Sequence, residues 1–144
     1  VIEHIEEDEM IMREVSNLLG KGGVLIATVP ASNFLWSEAD VHAGHYRRYT
    51  NKSISHLLEN SGFEIIEIHK LFSILWIPIF LFRVVPSFFG FYSGKKNTNK
   101  RDHASGGGGI SNLFRKILGR EFKSISKGRK RRFGSSILVV AKKI

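Results

Sequence analysis

Two groups of titratable and aromatic side chains directly follow apolar runs of the sequence. The first is Glu3 and His4, and the second lies in the connection 31–50, after the run Val24 to Val29. The second group comprises Trp36, Asp40, His42, His45, Tyr46, Arg47, Arg48 and Tyr49. A charged pair at the end of a buried strand is costly unless something binds it, so Glu3 and His4 are expected to be functional. Loops on a rigid scaffold often carry function, so 31–50 is predicted to be a substrate loop.

Three histidines in these groups are candidates for a general base. Neutral imidazole accepts protons near pH 7, so His4, His42 and His45 are each able to take this role. The sequence leaves open which of them acts. Neither a Ser-His-Asp arrangement nor a glycosidase-type carboxylate pair can be placed in the chain.

Five loop residues are candidates for substrate contact. Arg47 and Arg48 could bind an anionic substrate group through bidentate hydrogen bonds, or could be ordinary surface or ion-pair residues. Tyr46 and Tyr49 could contact a substrate, or could pack and fix the loop. Trp36 adds a large aromatic surface to the same loop.

Alternating helix and strand patterns must position these side chains. Helices are predicted from the acidic run Glu6 to Glu9 and from Thr50 or Asn51, and strands at Val1-Ile2, Val24 to Val29, Phe63 to Leu71 and Ser135 to Ala141. Val24 to Val29 is nearly continuous in apolar residues, which is typical of a strand buried on both faces. The alternation indicates a doubly wound α/β sheet. Ligands bind at the carboxyl ends of strands in such sheets, so the two groups are expected to meet there.

An insertion at 71–132 separates the last two predicted strands and is too long for a plain loop. Its first part, 71–92, is apolar and aromatic, and its second part, 93–132, is basic. Gly106 to Gly109 is predicted to be a flexible linker, and Ile110 to Leu118 a short amphipathic helix. The basicity of the chain belongs to this half, because there are 15 Lys and Arg against 2 Asp and Glu from Lys95 onward.

The insertion has several interpretations. The segment 71–92 could lie in a membrane interface with the basic part on anionic head groups, could cover the protein or a dimer contact, or could span a bilayer. A single span is disfavoured, because the strands on either side must return to one sheet. The run Lys127 to Arg132 resembles a nucleic-acid or anionic-lipid patch, although such a run is often only solvated. Few aromatic residues accompany it, so nucleic acid is not expected as a partner.

The absence of cysteine excludes disulfides, zinc–thiolate sites and thiol nucleophiles. This composition fits an intracellular protein. We therefore expect a cytoplasmic protein, with a peripheral position at the membrane if the insertion binds lipid.

Three strings together resemble one enzyme family. They are Val-Ile-Glu-His-Ile-Glu-Glu-Asp-Glu, then Leu-Leu-Gly-Lys-Gly-Gly-Val-Leu-Ile-Ala-Thr-Val-Pro, then Gly-His-Tyr-Arg-Arg-Tyr-Thr. In order and spacing they resemble the carboxy-terminal half of class I S-adenosylmethionine-dependent methyltransferases of the type 11/type 23 kind. The resemblance covers 1–70 and 133–144, which would form a partial methyltransferase domain, and leaves the insertion 71–132 outside it.

The resemblance implies a Rossmann-like sheet of which strands 4 to 7 are present, with the seventh antiparallel and the insertion between the last two. It implies S-adenosyl-L-methionine as cofactor, with Glu3 and His4 near the methyl donor. The methyl group would pass to an O, N or C nucleophile of a small, anionic or lipid-linked substrate. Some relatives hold magnesium with such a Glu-His pair and an acidic residue three positions earlier. That position would precede Val1, so no metal site is expected.

The resemblance also implies missing parts. The chain opens without Met at what would be the end of the fourth strand, so it is expected to start inside a folded domain. The family's glycine-rich cofactor loop and its ribose-binding acidic residue have no counterpart, so the chain alone is expected to be an inactive fragment. The alternative function is a non-enzymatic remnant that binds a membrane or partner through 71–132.

Overall fold

The computed structural model describes residues 1–89 and 108–144. The helices are α1 Asp8–Leu18, α2 Glu38–Ala43, α3 Asn51–Asn60, α4 Trp76–Ile79, α5 Val85–Phe88 and α6 Gly108–Ile125. The strands are β1 Val24–Pro30, β2 Phe63–Leu71 and β3 Ser136–Lys143. Short 3-10 helices lie at Ile2–His4 and Asn33–Leu35, and a π-helical turn at Phe80–Val84 joins α4 to α5.

The three strands form one sheet with β3 in its centre. The order is β1-β3-β2, and β3 is antiparallel to both neighbours. β1 and β2 therefore run parallel to each other on the two sides of β3. A bulge interrupts β2 between Ile65 and Glu67. The predicted antiparallel direction of the final strand is confirmed.

The hydrophobic core lies between the sheet and the helices α1 and α3. Alternate residues of β3 point into it, and Ile137, Val139 and Ala141 are fully buried. Ile54 and Leu58 of α3 pack in the same cluster. The core fixes the carboxyl end of β1, because Val29 is also part of it.

The prediction that Val24 to Val29 is buried on both faces is wrong. Val24 and Ile26 are 51% and 67% exposed, whereas Val29 is 2% exposed. The helices α1 and α3 pack on one face of the sheet, and Val24 and Ile26 point away from that face. In this strand, a nearly continuous run of apolar residues therefore does not mean that helices cover both faces.

The first predicted strand is also absent from the described residues. Ile2–His4 is a 3-10 helix in which the His4 and Ile5 amides donate to the carbonyls of Val1 and Ile2, at 3.1 and 3.2 Å. These local bonds satisfy backbone groups that a strand would pair with a neighbour. The described residues therefore form a sheet of three strands, β1, β2 and β3, where the sequence predicts four.

The insertion contains more helix than the sequence predicts. Helix α6 begins at Gly108, inside the predicted glycine linker, and continues to Ile125 rather than ending at Leu118. The other part of that linker, and the segment 90–107 as a whole, lie outside the described residues. Within 1–89 and 108–144, no helix is long and apolar enough to cross a membrane.

Candidate functional site

The loop 31–50 leaves the carboxyl end of β1 and is closed at its base by backbone hydrogen bonds. The Tyr49 amide donates to the Pro30 carbonyl at 2.8 Å, and the Ser32 amide donates to the Tyr49 carbonyl at 2.9 Å. Ser32 has a φ of 69°, a left-handed conformation that costs a non-glycine residue about 1–3 kcal/mol. Its hydroxyl donates to the Gly134 carbonyl, which holds this strained residue in place.

Helix α2 positions the loop's polar residues because Ser37 and Asp40 form a capping box at its start. The Ser37 amide donates to Asp40 Oδ2 at 3.0 Å. The helix ends at Ala43, and the following Gly44 has a φ of 73°, a left-handed conformation that glycine adopts readily. The chain turns there, so that His45 lies beside Asp40.

Asp40 is the centre of the loop's hydrogen-bond network. Its side chain is 1% exposed, and Arg48 donates from Nε to Oδ1 at 2.9 Å and from Nη2 to Oδ2 at 3.1 Å. His45 Nδ1 lies 2.9 Å from Oδ1. Burial alone would raise the pKa of Asp40, but hydrogen bonds from Arg48 and His45 outweigh it and lower the pKa. Asp40 is therefore ionised at neutral pH.

Two histidines meet above this carboxylate. The rings of His4 and His45 lie 4.7 Å apart in a T-shaped arrangement. His4 Nδ1 is 3.1 Å from the Gly44 carbonyl, which can only accept, so this nitrogen carries a proton. His45 Nδ1 donates to ionised Asp40 in the same way. In the neutral rings, both Nε2 atoms are thus left with lone pairs that can accept a proton.

Glu3 joins the two histidines to form a set of potential metal ligands. One ligand atom from each of Glu3, His4 and His45 lies within 4.8 Å of the others. Two imidazoles and a carboxylate suit zinc and similar divalent ions, and the bonds from His4 to Gly44 and from His45 to Asp40 resemble those that orient metal-bound histidines. The sequence did not indicate this set, because His45 is distant in sequence from the pair to which it is added.

The other predicted site residues have separate positions. His42 lies on the exposed side of α2, with Nδ1 2.8 Å from the Glu38 carbonyl of its own helix. Trp36 and Tyr46 are exposed and line a cleft of about 280 Å³ with Asn33, Arg47 and Arg48. A second cleft of about 530 Å³ shares Asn33 and both arginines. The histidine pair thus forms without His42, and the aromatic residues line a space near the arginines.

The contacts of Arg48 favour the ion-pair alternative, because all three nitrogens of its guanidinium group donate to residues of the loop. Arg47 bonds to Asp8 at 2.6 Å and to the Glu6 carbonyl at 2.6 Å, but its side chain is 32% exposed. Arg47 thus connects the loop to residues Glu6 and Asp8 outside it, whereas Arg48 bonds to Asp40 and Ala31 inside it. Substrate binding by either one stays a prediction.

Tyr49 fixes the loop to α1. It is buried, and its hydroxyl donates to Asp8 Oδ2 at 2.8 Å. Burial and this hydrogen bond raise the pKa of Tyr49 above its ordinary value. These contacts favour the packing alternative for Tyr49, whereas Tyr46 is 54% exposed.

Tyr49→Phe is expected to lower the free energy of unfolding by about 1–2 kcal/mol, because it removes a buried hydrogen bond to a carboxylate. Urea denaturation followed by circular dichroism measures the change. Tyr46→Phe is the matched control, with an expected effect within about 0.5 kcal/mol because its ring is exposed. Equal effects of the two substitutions would contradict the role given to Tyr49.

Solved structures similar to this chain include a methyltransferase. The chain is similar to the phosphoethanolamine N-methyltransferase 2 of Haemonchus contortus, solved in complex with S-adenosyl-L-methionine, with 13% sequence identity and a TM-score of 0.49. The similarity covers 99% of this chain and 31% of that chain. The chain thus spans less than a third of that protein. No family model and no curated protein matches the sequence.

Asp40 lies in the predicted substrate loop, but its residue type alone indicates no particular role there. Its role could have been recognised from the spacing Ser37-x-x-Asp40, which fits a capping box and predicts a helix start inside the loop. A helix there would turn the chain after Gly44 and bring His45 back toward Asp40. The contact between His45 and His4 depends on tertiary structure and has no local signal.

Proposed function

We propose that residues 1–70 and 133–144 form the acceptor side of an S-adenosylmethionine-dependent methyltransferase. The observation that supports this most directly is the Asp40–His45 pair placed against Glu3 and His4 at the carboxyl end of β1. Ligands bind at this edge in open α/β sheets, and an oriented imidazole is a suitable base for an oxygen or nitrogen nucleophile. The family resemblance supplies the reaction class.

In the proposed reaction, the acceptor's nucleophile attacks the sulfonium methyl group in line. A bond forms between the nucleophile and the methyl carbon, the bond from that carbon to sulfur breaks, and S-adenosylhomocysteine leaves. His45 Nε2 takes the proton of the nucleophile, while Asp40 holds Nδ1–H and stabilises the imidazolium. Arg48 keeps Asp40 ionised. Most of the rate enhancement would come from holding the reacting atoms about 3–3.5 Å apart.

We assign the cleft beside Trp36 and Tyr46 to the acceptor. Its two exposed aromatic rings suit an acceptor with an apolar or planar part. Arg48 is bonded to Asp40 and to the Ala31 carbonyl, so Arg47, the more exposed of the two, is assigned to an anionic group of the acceptor. A small or lipid-linked molecule with both features fits this description.

The cofactor requires residues beyond those described above. The 144 residues contain no GxGxxG loop that follows a strand and opens a helix. We therefore propose that Glu3 and His4 contact the methyl-donor end of the cofactor, while the chain by itself binds the cofactor weakly and transfers no methyl group.

His45→Ala is expected to lower methyl transfer at least about 100-fold, because general bases typically contribute this much or more. The assay incubates the gene product that contains this chain with tritium-labelled S-adenosylmethionine and a lipid and metabolite extract. His42→Ala is the matched control, since His42 lies in the same loop but outside the pair, and it should keep at least half of the activity.

Three results would overturn parts of this proposal. No transfer of label to any extract component by the wild-type gene product would reject the methyltransferase function. Full transfer by the isolated 144-residue chain would reject the proposal that the chain alone is inactive. Equal losses in His45→Ala and His42→Ala would reject His45 as the base.

A further inference from the structure

The helical segment 76–88, formed by α4, the π-helical turn and α5, has apolar residues on two sides. We call it the apolar helix. On one side, Trp76 stacks on Phe133 with ring centroids 5.4 Å apart, and Phe34 packs against Trp76 and Phe80 at 5.8 and 6.5 Å. These aromatic contacts fix the helix to the rest of the protein.

The opposite side of the apolar helix is exposed. Ile77, Leu81 and Phe82 are 51%, 52% and 76% exposed, and Ile74 extends the same stripe into the preceding turn. Ile77 and Leu81 are four residues apart in the helical segment and lie on the same side of it, and Phe82 is adjacent to Leu81. A single exposed apolar residue needs no explanation, but a contiguous stripe of this kind marks an interaction surface.

A strongly basic surface accompanies this stripe. The exposed basic residues of α6 and the turn after it are Arg115, Lys116, Arg120, Lys123, Lys127, Arg129, Lys130 and Arg132. Glu121 is the only acidic residue in 108–144, and it is buried. The basic surface therefore has no exposed carboxylate of its own to neutralise it.

Hydrogen bonds at Ser73 join the basic surface to the base of the apolar helix. Glu121 Oε1 accepts from the Ser73 amide and hydroxyl, both at 2.9 Å. Arg131 Nη1 donates to the same hydroxyl at 2.9 Å. Ser73 precedes the apolar helix by three residues, so the exposed stripe and the basic residues belong to one continuous structure.

We propose that this structure docks the protein on an anionic lipid bilayer, with the stripe Ile74, Ile77, Leu81 and Phe82 among the acyl chains and the basic residues on the head groups. Interfacial segments of membrane-binding proteins combine these two properties, and each contributes to binding. A nucleic acid would match the basic residues but would leave the apolar stripe in water. A protein partner would need an acidic surface beside an apolar one, whereas anionic bilayers present both chemistries everywhere.

The proposed candidate site is attached to the same helix. The Glu38 amide at the start of α2 donates to Ser87 Oγ of α5 at 3.0 Å, and Phe34, which contacts Trp76, comes from the same loop. Docking would therefore place the loop that carries His45 next to the lipid head groups. The acceptor would then be a molecule held in the membrane, and this last step, unlike docking itself, rests on the proposed function.

The test measures binding of the purified chain to liposomes of phosphatidylcholine with and without phosphatidylglycerol, by flotation. Lys127→Glu/Lys130→Glu is expected to lower the partition coefficient on anionic liposomes at least about tenfold, since each basic residue near the surface contributes about fivefold. Leu81→Asn/Phe82→Asn is expected to lower it by a similar factor through lost apolar burial. All four residues are exposed, so the fold is expected to be unchanged by circular dichroism.

The matched control variants carry the same changes of charge and polarity at exposed positions outside the proposed docking surface. Lys21→Glu/Lys52→Glu gives the same net charge, and Leu18→Asn removes an exposed apolar residue on α1; each should bind within about twofold of wild type. The chain has no cysteine, so a single Phe82→Cys substitution carries an environment-sensitive dye whose emission should shift to the blue on anionic liposomes. The same dye at Leu18→Cys should not shift.

Several outcomes would overturn docking. These are equal losses in the surface and control variants, no flotation with anionic liposomes, or a dye shift at Leu18→Cys equal to that at Phe82→Cys. A concentration-dependent dimer that Leu81→Asn/Phe82→Asn abolishes, without flotation, would assign the stripe to a second copy of the chain. Docking without methyl transfer by the gene product would reject only the proposed function.

Discussion

Asp40→Ala is expected to lower the free energy of unfolding by about 3–5 kcal/mol, because it leaves a buried guanidinium without its partner. The Arg48 side chain is 6% exposed and makes two of its three hydrogen bonds to Asp40. The substitution also removes the side chain that accepts from Ser37 at the start of α2. Urea denaturation at pH 7 measures the loss.

A control for Asp40→Ala separates the effect of losing a buried carboxylate from the effect of losing a negative charge alone. Glu14→Ala removes an exposed carboxylate from α1 and should change stability by less than about 0.5 kcal/mol. A loss below about 1 kcal/mol in Asp40→Ala would mean that Arg48 finds another partner, and the central role of Asp40 would then be wrong.

The same carboxylate gives the chain a defined dependence on acid. The pKa of Asp40 is lower in the folded protein than its unfolded value of about 3.9, so its stabilising effect is fully present above that pH. The effect is lost as pH falls through the folded pKa. The stability difference between wild type and Asp40→Asn should therefore shrink as the pH is lowered from about 5 to about 2.

Gly134→Ala is expected to lower the free energy of unfolding by about 1–3 kcal/mol or more, because a methyl group has no room there. A Cβ at this position would lie 2.5 Å from the Leu71 carbonyl oxygen and 2.9 Å from Lys70 Cβ. The backbone would have to move away from β2 just before β3 begins. That shift would also weaken the bond that the strained Ser32 makes to the Gly134 carbonyl.

Gly119→Ala provides the opposite result in the same measurement. An added Cβ at Gly119 meets nothing within 4 Å, and the position lies inside α6. Alanine is favoured over glycine in a helix, so stability should rise by up to about 1 kcal/mol. If Gly134→Ala were as well tolerated as Gly119→Ala, the close approach to β2 would be contradicted.

Local patterns were sufficient to predict most of the elements between Asp8 and Leu71. The helix from Asn51 and the strand from Phe63 follow directly from a capping threonine, apolar spacing and β-branched residues. Two errors came from non-local effects. Burial of β1 on both faces depends on which elements pack there, and the Val1-Ile2 strand depends on a neighbour with which to pair.

The candidate site was predictable in its residue types but not in its pairings. Glu3, His4 and the loop 31–50 were expected at one edge of the sheet, and the structure brings His45 against His4. The partners of Arg47 and Arg48 could not be read from the sequence, because Asp8 and Asp40 compete with a substrate anion for the same guanidinium groups. Only the folded geometry decides that competition.

The central position of β3 has a consequence for biosynthesis. The ribosome delivers this strand after both of its partners, so β1 and β2 emerge with no strand between them and cannot form the sheet. More than 100 residues separate Val29 of β1 from Ile137, its partner in β3. Contacts between such distant segments form slowly, and exposed strand edges are prone to aggregation meanwhile. The edges of β1 and β2 that face β3 therefore stay without this partner until synthesis has passed Lys143.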